Sequence, residues 1–111
     1  MKHYKIVIYF SPTCEHCQYE AQEIRKHIET FGDTQILMIS SDDSLSIKKF
    51  AADYQLDSLS NVQFLHLPNE QIFETFGSAS VPRILIYNQK GNLVKDFKGE
   101  VKIAIICCCN I

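Results

Sequence analysis

Tryptophan is absent from the sequence, and glycine and proline are scarce: the 111 residues include four glycines and three prolines. Collagen-like and low-complexity chains need far more of these residues, so both classes are excluded. Long apolar runs are missing as well. The apolar run at residues 6–10, like every other in the sequence, falls well short of the roughly 20 residues that span a membrane. We therefore expect no stable membrane insertion.

A surplus of positive charge is also missing. The sequence has 11 Lys and Arg residues and 13 Asp and Glu residues, which gives a net charge of −2, and no basic run occurs. Nucleic-acid binding needs a patch that neutralises phosphates, so we expect protein or small-molecule substrates instead. Hydrophobic residues make up 46% of the chain, which is enough for an ordinary core and too much for a disordered protein. We expect one domain over residues 1–111.

The five cysteines fall into two clusters, Cys14 with Cys17 and the consecutive Cys107, Cys108 and Cys109. A disulfide-stapled secreted domain needs partners spread through the chain, and an odd number in two clusters does not provide them. The cysteines are therefore expected to have a chemical role rather than a structural one.

Strand and helix patterns alternate along the chain. Apolar runs rich in β-branched and aromatic residues predict strands, and apolar residues repeating every three or four positions predict helices. The predicted strands cover residues 4–10, 35–40, 62–67, 83–87 and 93–97, and a turn at 88–91 joins the last two into an antiparallel hairpin. The first predicted helix runs from Cys14 to Gly32, and the second has a shared face formed by Ile47, Phe50, Ala51 and Tyr54. The third runs from Pro68 to Gly77, with Ile72, Phe73 and Phe76 on its buried side, and a last helix begins at Glu100.

The pair Cys14 and Cys17 lies where the first strand gives way to the first helix. A Cys-x-x-Cys spacing serves either as a redox pair or as half of a zinc site. At a helix start the sulfurs lie one turn apart, and the free N–H groups and the helix dipole stabilise a thiolate. This favours redox chemistry, with Cys14 as the exposed nucleophile and Cys17, on the buried stripe, as the resolving thiol.

Two stretches carry a family resemblance: Phe-Ser-Pro-Thr-Cys-Glu-His-Cys-Gln-Tyr-Glu at 10–20 and Val-Pro-Arg-Ile-Leu-Ile-Tyr-Asn-Gln-Lys-Gly at 81–91. With the element order, they resemble the thioredoxin superfamily and, within it, the bacterial TlpA/ResA-type thiol-disulfide oxidoreductases. The resemblance implies an α/β thioredoxin-like fold. Its central mixed sheet of about five strands is flanked by helices and ends in an antiparallel hairpin and a final helix.

The same resemblance implies further site residues. Pro82 aligns with the cis-proline of thioredoxins, which sits against the dithiol, and the backbone of Val81 would pair with a bound substrate strand. Glu20 stands where TlpA/ResA-type proteins carry a glutamate near the dithiol, and it would accept a proton from Cys17. His16 is a candidate by its position and not by the resemblance, since the resembled family often has proline there. Inside the Cys-x-x-Cys loop, it would add positive charge near the Cys14 sulfur.

The chain departs from thioredoxin itself at two positions. Ile8 stands where thioredoxin has an acid beneath its dithiol, six positions before the first cysteine. Thr13 replaces the aromatic residue that precedes the first cysteine and is a candidate N-cap of the helix.

The resemblance implies protein disulfide or dithiol substrates and an upstream redox partner, with no cofactor and no metal. We expect a monomer that forms adventitious disulfide dimers through Cys107, Cys108 and Cys109, because the final helix is expected to lead these thiols away from Cys14. The resemblance points to the bacterial periplasm or cell envelope, whereas Met1 as the genuine start would point to the cytoplasm.

Two alternatives stay open. Ser11, three residues before Cys14, and Arg83, at the start of a strand, are faintly reminiscent of peroxiredoxin-like thiol peroxidases. The second alternative is a metal-binding protein that holds zinc or copper through Cys14, Cys17 and His16, although such a site needs about four ligands.

Overall fold

The computed structural model describes residues 5–32, 34–77, 81–99 and 101. Its five strands are β1 (Lys5–Tyr9), β2 (Gln35–Ser40), β3 (Val62–His66), β4 (Arg83–Tyr87) and β5 (Leu93–Lys98). Its four helices are α1 (Glu15–Lys26), α2 (Ile28–Phe31), α3 (Ser44–Asp53) and α4 (Asn69–Phe76). The five predicted strands are therefore confirmed, each with ends that differ by no more than a residue or so.

The strands form one mixed sheet in the order β3-β2-β1-β4-β5. β1 is parallel to β2 and antiparallel to β4, with Tyr9 opposite Arg83. Because antiparallel neighbours run in opposite directions, the chain leaves β1 at the edge where it enters β4. This register brings the residues after Tyr9 and the residues before Arg83 to the same edge of the sheet.

Side-chain alternation along the strands produces two apolar faces. On one face, the β1 residues Ile6 and Ile8 and the β4 residues Ile84 and Ile86 pack with α1 and α3. On the other, Val7, Tyr9 and Leu85 pack with Ile72 of α4. The dithiol helix and α4 therefore cover opposite faces of the sheet.

The first predicted helix is interrupted at His27. α1 ends at Lys26, His27 takes φ −112° and ψ 25°, and α2 follows immediately. Of the predicted apolar stripe, Cys17, Ala21, Ile24 and Phe31 are nonetheless buried, and Ile28 is half-buried against the core. Gly32 ends α2 with a positive φ of 60°, a conformation that glycine adopts without steric cost.

α4 corrects one part of the sequence prediction. Gly77 caps its end in the left-handed conformation, as predicted, and Ile72 is buried. Phe73, predicted on the buried side, is 53% exposed. A residue next to Ile72 is turned about 100° around the helix axis, and in α4 this turn carries Phe73 out of the cluster that Ile72 forms with Val7, Tyr9 and Leu85. The predicted final helix lies outside the described residues.

No helix in the described ranges is both long enough and apolar enough to cross a membrane.

Candidate active site

Cys14 is the N-cap of α1. Its backbone is extended, with φ −82° and ψ 121°, and its sulfur accepts a hydrogen bond from the Cys17 N–H at 3.3 Å. The side chain is half-buried and packs against the edge of the core. Glu15 in the first turn and Arg25 with Lys26 in the last turn complement the helix dipole. The sulfur therefore sits where peptide N–H groups stabilise negative charge.

This capping arrangement corrects the expectation for Thr13. The Thr13 hydroxyl lies 3.2 Å from the Ser11 hydroxyl and does not cap the helix. The tight turn explains the shift, since the Cys14 N–H bonds back to the Ser11 carbonyl at 3.1 Å and leaves Cys14 as the first residue before the helix. The nucleophile candidate is itself the capping group.

Cys17 lies one turn along α1 and is only 1% exposed. Burial raises the pKa of its thiol far above the usual range, and a hydrogen bond with the Cys14 side chain raises it further. A backbone hydrogen bond at Ser11 lowers this pKa, while the negative charges of Cys14 and Glu20 raise it. Both cysteines are free thiols in the structure. Cys17 is thus a protonated, sheltered thiol beneath a more accessible one.

Glu20 lies one turn beyond Cys17 and is 1% exposed. Its Oε1 accepts a hydrogen bond from the backbone N–H of Val101 at 2.8 Å, across 81 residues of sequence. Its charge acts on Cys17, as the pKa of that thiol shows. A buried carboxylate therefore stands beside the resolving thiol candidate and contacts the chain after β5.

A shallow groove of about 360 Å³ lies beside the dithiol and is lined by His16, Val81, Pro82 and Gly99. The peptide bond between Val81 and Pro82 is cis. Sequence reasoning selected His16, Val81 and Pro82 for this region and missed Gly99, which reaches the groove because its N–H donates to the Pro82 carbonyl at 2.8 Å. No local sequence signal marks Gly99 as a groove residue, since its placement depends on the pairing of β4 with β5.

Arg83 lies on the opposite face of the sheet from α1. In β4 it alternates with Ile84, which packs beneath α1, and shares a face with Leu85. Its guanidinium binds Asp96 through two hydrogen bonds, Nε to Oδ1 at 3.1 Å and Nη2 to Oδ2 at 2.8 Å. The structure therefore does not bring Arg83 to the sulfur of Cys14.

The metal-site alternative requires several ligands close together. Within the described part of the chain, no group of three or more His, Cys, Asp and Glu side chains is placed to hold a metal ion. Cys107, Cys108 and Cys109, which we expect to stay apart from Cys14, lie outside the described residues.

The mixed sheet, its flanking helices and the Cys-x-x-Cys at the start of α1 define a thioredoxin-like fold. A secreted Mycobacterium tuberculosis disulfide oxidoreductase homologous to E. coli DsbE superposes with a TM-score of 0.79 at 15% identity, over 95% of this chain and 78% of that chain. StoA from Bacillus subtilis gives 0.74 at 11% identity, over 96% and 81%. The thioredoxin domain of a Bacteroides vulgatus thiol-disulfide oxidoreductase gives 0.74 at 18% identity, over 98% and 81%.

The model of the AhpC/TSA family matches residues 2–101, so the chain belongs to the AhpC/TSA family. No curated protein sequence matches it. The thioredoxin-like fold and the superfamily that the sequence resembles are both confirmed.

Proposed function

We propose that this protein is a thiol-disulfide oxidoreductase that exchanges disulfides with protein substrates through Cys14 and Cys17. One observation carries the proposal: an accessible sulfur caps the N-terminus of α1, and a buried thiol lies one turn beneath it. The similar structures from M. tuberculosis and B. vulgatus are described as disulfide or thiol-disulfide oxidoreductases, which supports the same chemistry.

The first step is attack by the Cys14 thiolate on one sulfur of a substrate disulfide. A bond forms between Cys14 and that sulfur, the substrate S–S bond breaks, and the second substrate sulfur leaves as a thiolate. The hydrogen bond from the Cys17 N–H holds the attacking sulfur at the start of α1.

The second step is attack by Cys17 on the Cys14 sulfur of the mixed disulfide. The Cys17 proton must first leave, and the nearby carboxylate of Glu20 is the proposed acceptor. The reduced substrate then departs, and Cys14 and Cys17 remain joined by a disulfide. The substrate gains two electrons, and an upstream dithiol partner returns them to the enzyme.

The groove at Val81 and Pro82 is the proposed docking site for the substrate chain. An extended peptide can pair with the Val81 backbone there, which would align its disulfide with Cys14. His16 lines the same groove and is exposed, so its charge when protonated would favour the Cys14 thiolate. Stabilising the reduced form in this way makes the redox pair more oxidising.

A redox titration of the Cys14/Cys17 pair in glutathione buffers tests the proposal. We expect a single two-electron transition that Cys14→Ser and Cys17→Ser each abolish. A midpoint near about −270 mV indicates a reductant and one near about −120 mV an oxidant. Replacing His16 with alanine is expected to make the potential more negative, by roughly 30 mV for each tenfold change in the equilibrium constant.

The Cys17→Ser variant also separates this function from the peroxidase alternative. Our proposal expects it to accumulate a mixed disulfide with a disulfide-containing peptide, visible by mass spectrometry under non-reducing conditions. Sustained consumption of peroxide by Cys17→Ser, together with no trapped peptide, would overturn the proposal in favour of a thiol peroxidase.

A further inference from the structure

Backbone N–H groups hold the chain after β5 in place at two positions, Gly99 and Val101. The Gly99 N–H donates to the carbonyl of Pro82 at 2.8 Å, and the Val101 N–H donates to Oε1 of Glu20 at 2.8 Å. The first bond continues the β4–β5 pairing, and the second joins the chain after β5 to a side-chain carboxylate of α1.

The second of these bonds is well suited to fix the backbone. The acceptor is a carboxylate with 1% exposure, and hydrogen bonds to charged acceptors are stronger than neutral ones. Little water competes for a donor at such a site, and the Val101 side chain packs against the main core.

We propose that Glu20 is a positioning residue of the substrate groove, which fixes the Gly99 wall by binding the Val101 backbone to α1. This proposal rests on the proposed function and adds a role for Glu20 apart from the proton of Cys17. It makes the groove depend on one contact between the dithiol helix and the chain that follows the hairpin.

The proposal predicts different effects on the reaction rates of two kinds of substrate. Under the proposed function, a peptide disulfide docks in the groove lined by Val81, Pro82 and Gly99 while its sulfur meets Cys14. A small aromatic disulfide such as 5,5′-dithiobis(2-nitrobenzoate) needs only the accessible sulfur. Loss of the Val101 anchor should therefore slow the first reaction more than the second.

The main test removes the donor and leaves Glu20 in place. Val101→Pro has no backbone N–H, whereas Val101→Ala keeps the N–H although it removes more of the side chain. In a Cys17→Ser background, the rate of mixed-disulfide formation is measured with a disulfide-containing peptide and with the small disulfide. We expect the peptide-to-small-disulfide rate ratio to fall about fivefold or more in Val101→Pro and to stay near that of the parent in Val101→Ala.

A second pair of variants changes the acceptor. Glu20→Gln keeps a side-chain oxygen for the Val101 N–H, whereas Glu20→Ala has none. In the same background, the ratio should fall in Glu20→Ala and be largely restored in Glu20→Gln. Hydrogen exchange supplies a readout without activity. The amides of Gly99 and Val101 should lose protection in Glu20→Ala, and the Gly99 amide should lose protection in Val101→Pro, while the strand amides of β1 keep theirs.

The outcomes distinguish the two proposals. If Cys14 reacts with the peptide in none of the variants, the proposed function is wrong, and hydrogen exchange still decides whether the anchor exists. If the peptide is trapped but the ratio is equal in Val101→Pro and Val101→Ala, or Val101 is protected without Glu20, the positioning role is wrong. Should Val101→Pro fail to fold, the Glu20 pair decides alone.

Discussion

The burial of Cys17 gives two chemically identical thiols different roles in the proposed reaction. Both cysteines belong to the same turn of α1, yet Cys14 lies at its accessible tip and Cys17 is 1% exposed beneath it. Burial keeps the proton on Cys17, as its raised pKa shows. The order of attack in the proposed reaction follows from this difference, since only a thiolate is nucleophilic.

The raised pKa of Cys17 predicts how the stability of the reduced protein depends on pH. Below about pH 8.5, the ordinary pKa of cysteine, both folded and unfolded chains keep this proton, so the contribution of this thiol to the free energy of unfolding does not change with pH. Above that pH the unfolded chain loses the proton and the folded protein does not. The free energy of unfolding should therefore fall with rising pH, by up to about 1.4 kcal/mol per pH unit from this thiol.

Chemical denaturation of the reduced protein between about pH 8.5 and 10.5 measures this slope. Cys17→Ala should show a shallower decline, whatever its overall loss of stability from the smaller side chain. The expectation is contradicted if the two proteins lose stability in parallel over this range.

At the scale of elements, α4 offers a direct comparison between neighbouring residues. Ile72 is fully buried and Phe73 is 53% exposed. Ile72→Ala should lower the free energy of unfolding by roughly 2–5 kcal/mol, because it removes buried methyl groups and leaves a cavity. Phe73→Ala should cost less than about 1 kcal/mol. Urea denaturation checks both values, and an equal loss in the two variants would show that Phe73 is buried after all.

The elements themselves follow closely from local sequence. Apolar runs predict all five strands, and the stripe from Cys17 to Phe31 predicts the buried side of the first two helices. The break at His27 and the exposure of Phe73 do not follow from periodicity. Both depend on where neighbouring elements leave room, which a pattern along one helix does not contain.

At the scale of the whole molecule, the sheet separates the dithiol from α4. Arg83 faces the α4 side and binds Asp96, although it directly follows Pro82 of the groove. Arg83→Met should therefore destabilise the fold, by about 1 kcal/mol or more, because Asp96 loses its partner. The folded variant should still react with a small disulfide at a rate within about twofold of the wild type.

Pro82→Ala is the comparison variant for Arg83→Met, because Pro82 directly precedes Arg83 in the chain. Pro82 lines the groove, so this variant should lower the rate with a peptide disulfide and affect Arg83 little. Stopped-flow kinetics with both disulfides, beside thermal denaturation, measures the two variants together. A large fall in the small-disulfide rate for Arg83→Met would contradict the separation of the two faces.

The site was predictable to the extent that its chemistry is local or carried by resemblance. Cys14 and Cys17 stand out by spacing, and Pro82 and Glu20 by position within the resembled stretches. The hydrogen bond from Val101 to Glu20 joins residues 81 positions apart, and Gly99 enters the groove through sheet pairing. Contacts of this kind arise only once the strand order is fixed, so they cannot be predicted from any single segment of the sequence.

The sulfur of Cys14 also completes the hydrogen bonding of the first turn of α1. Every covalent change at this atom, whether a bond to substrate or to Cys17, alters the acceptor that the Cys17 amide faces. The backbone resonance of that amide is thus a built-in reporter of the oxidation state. Following it would reveal each stage of turnover without a label attached to the protein.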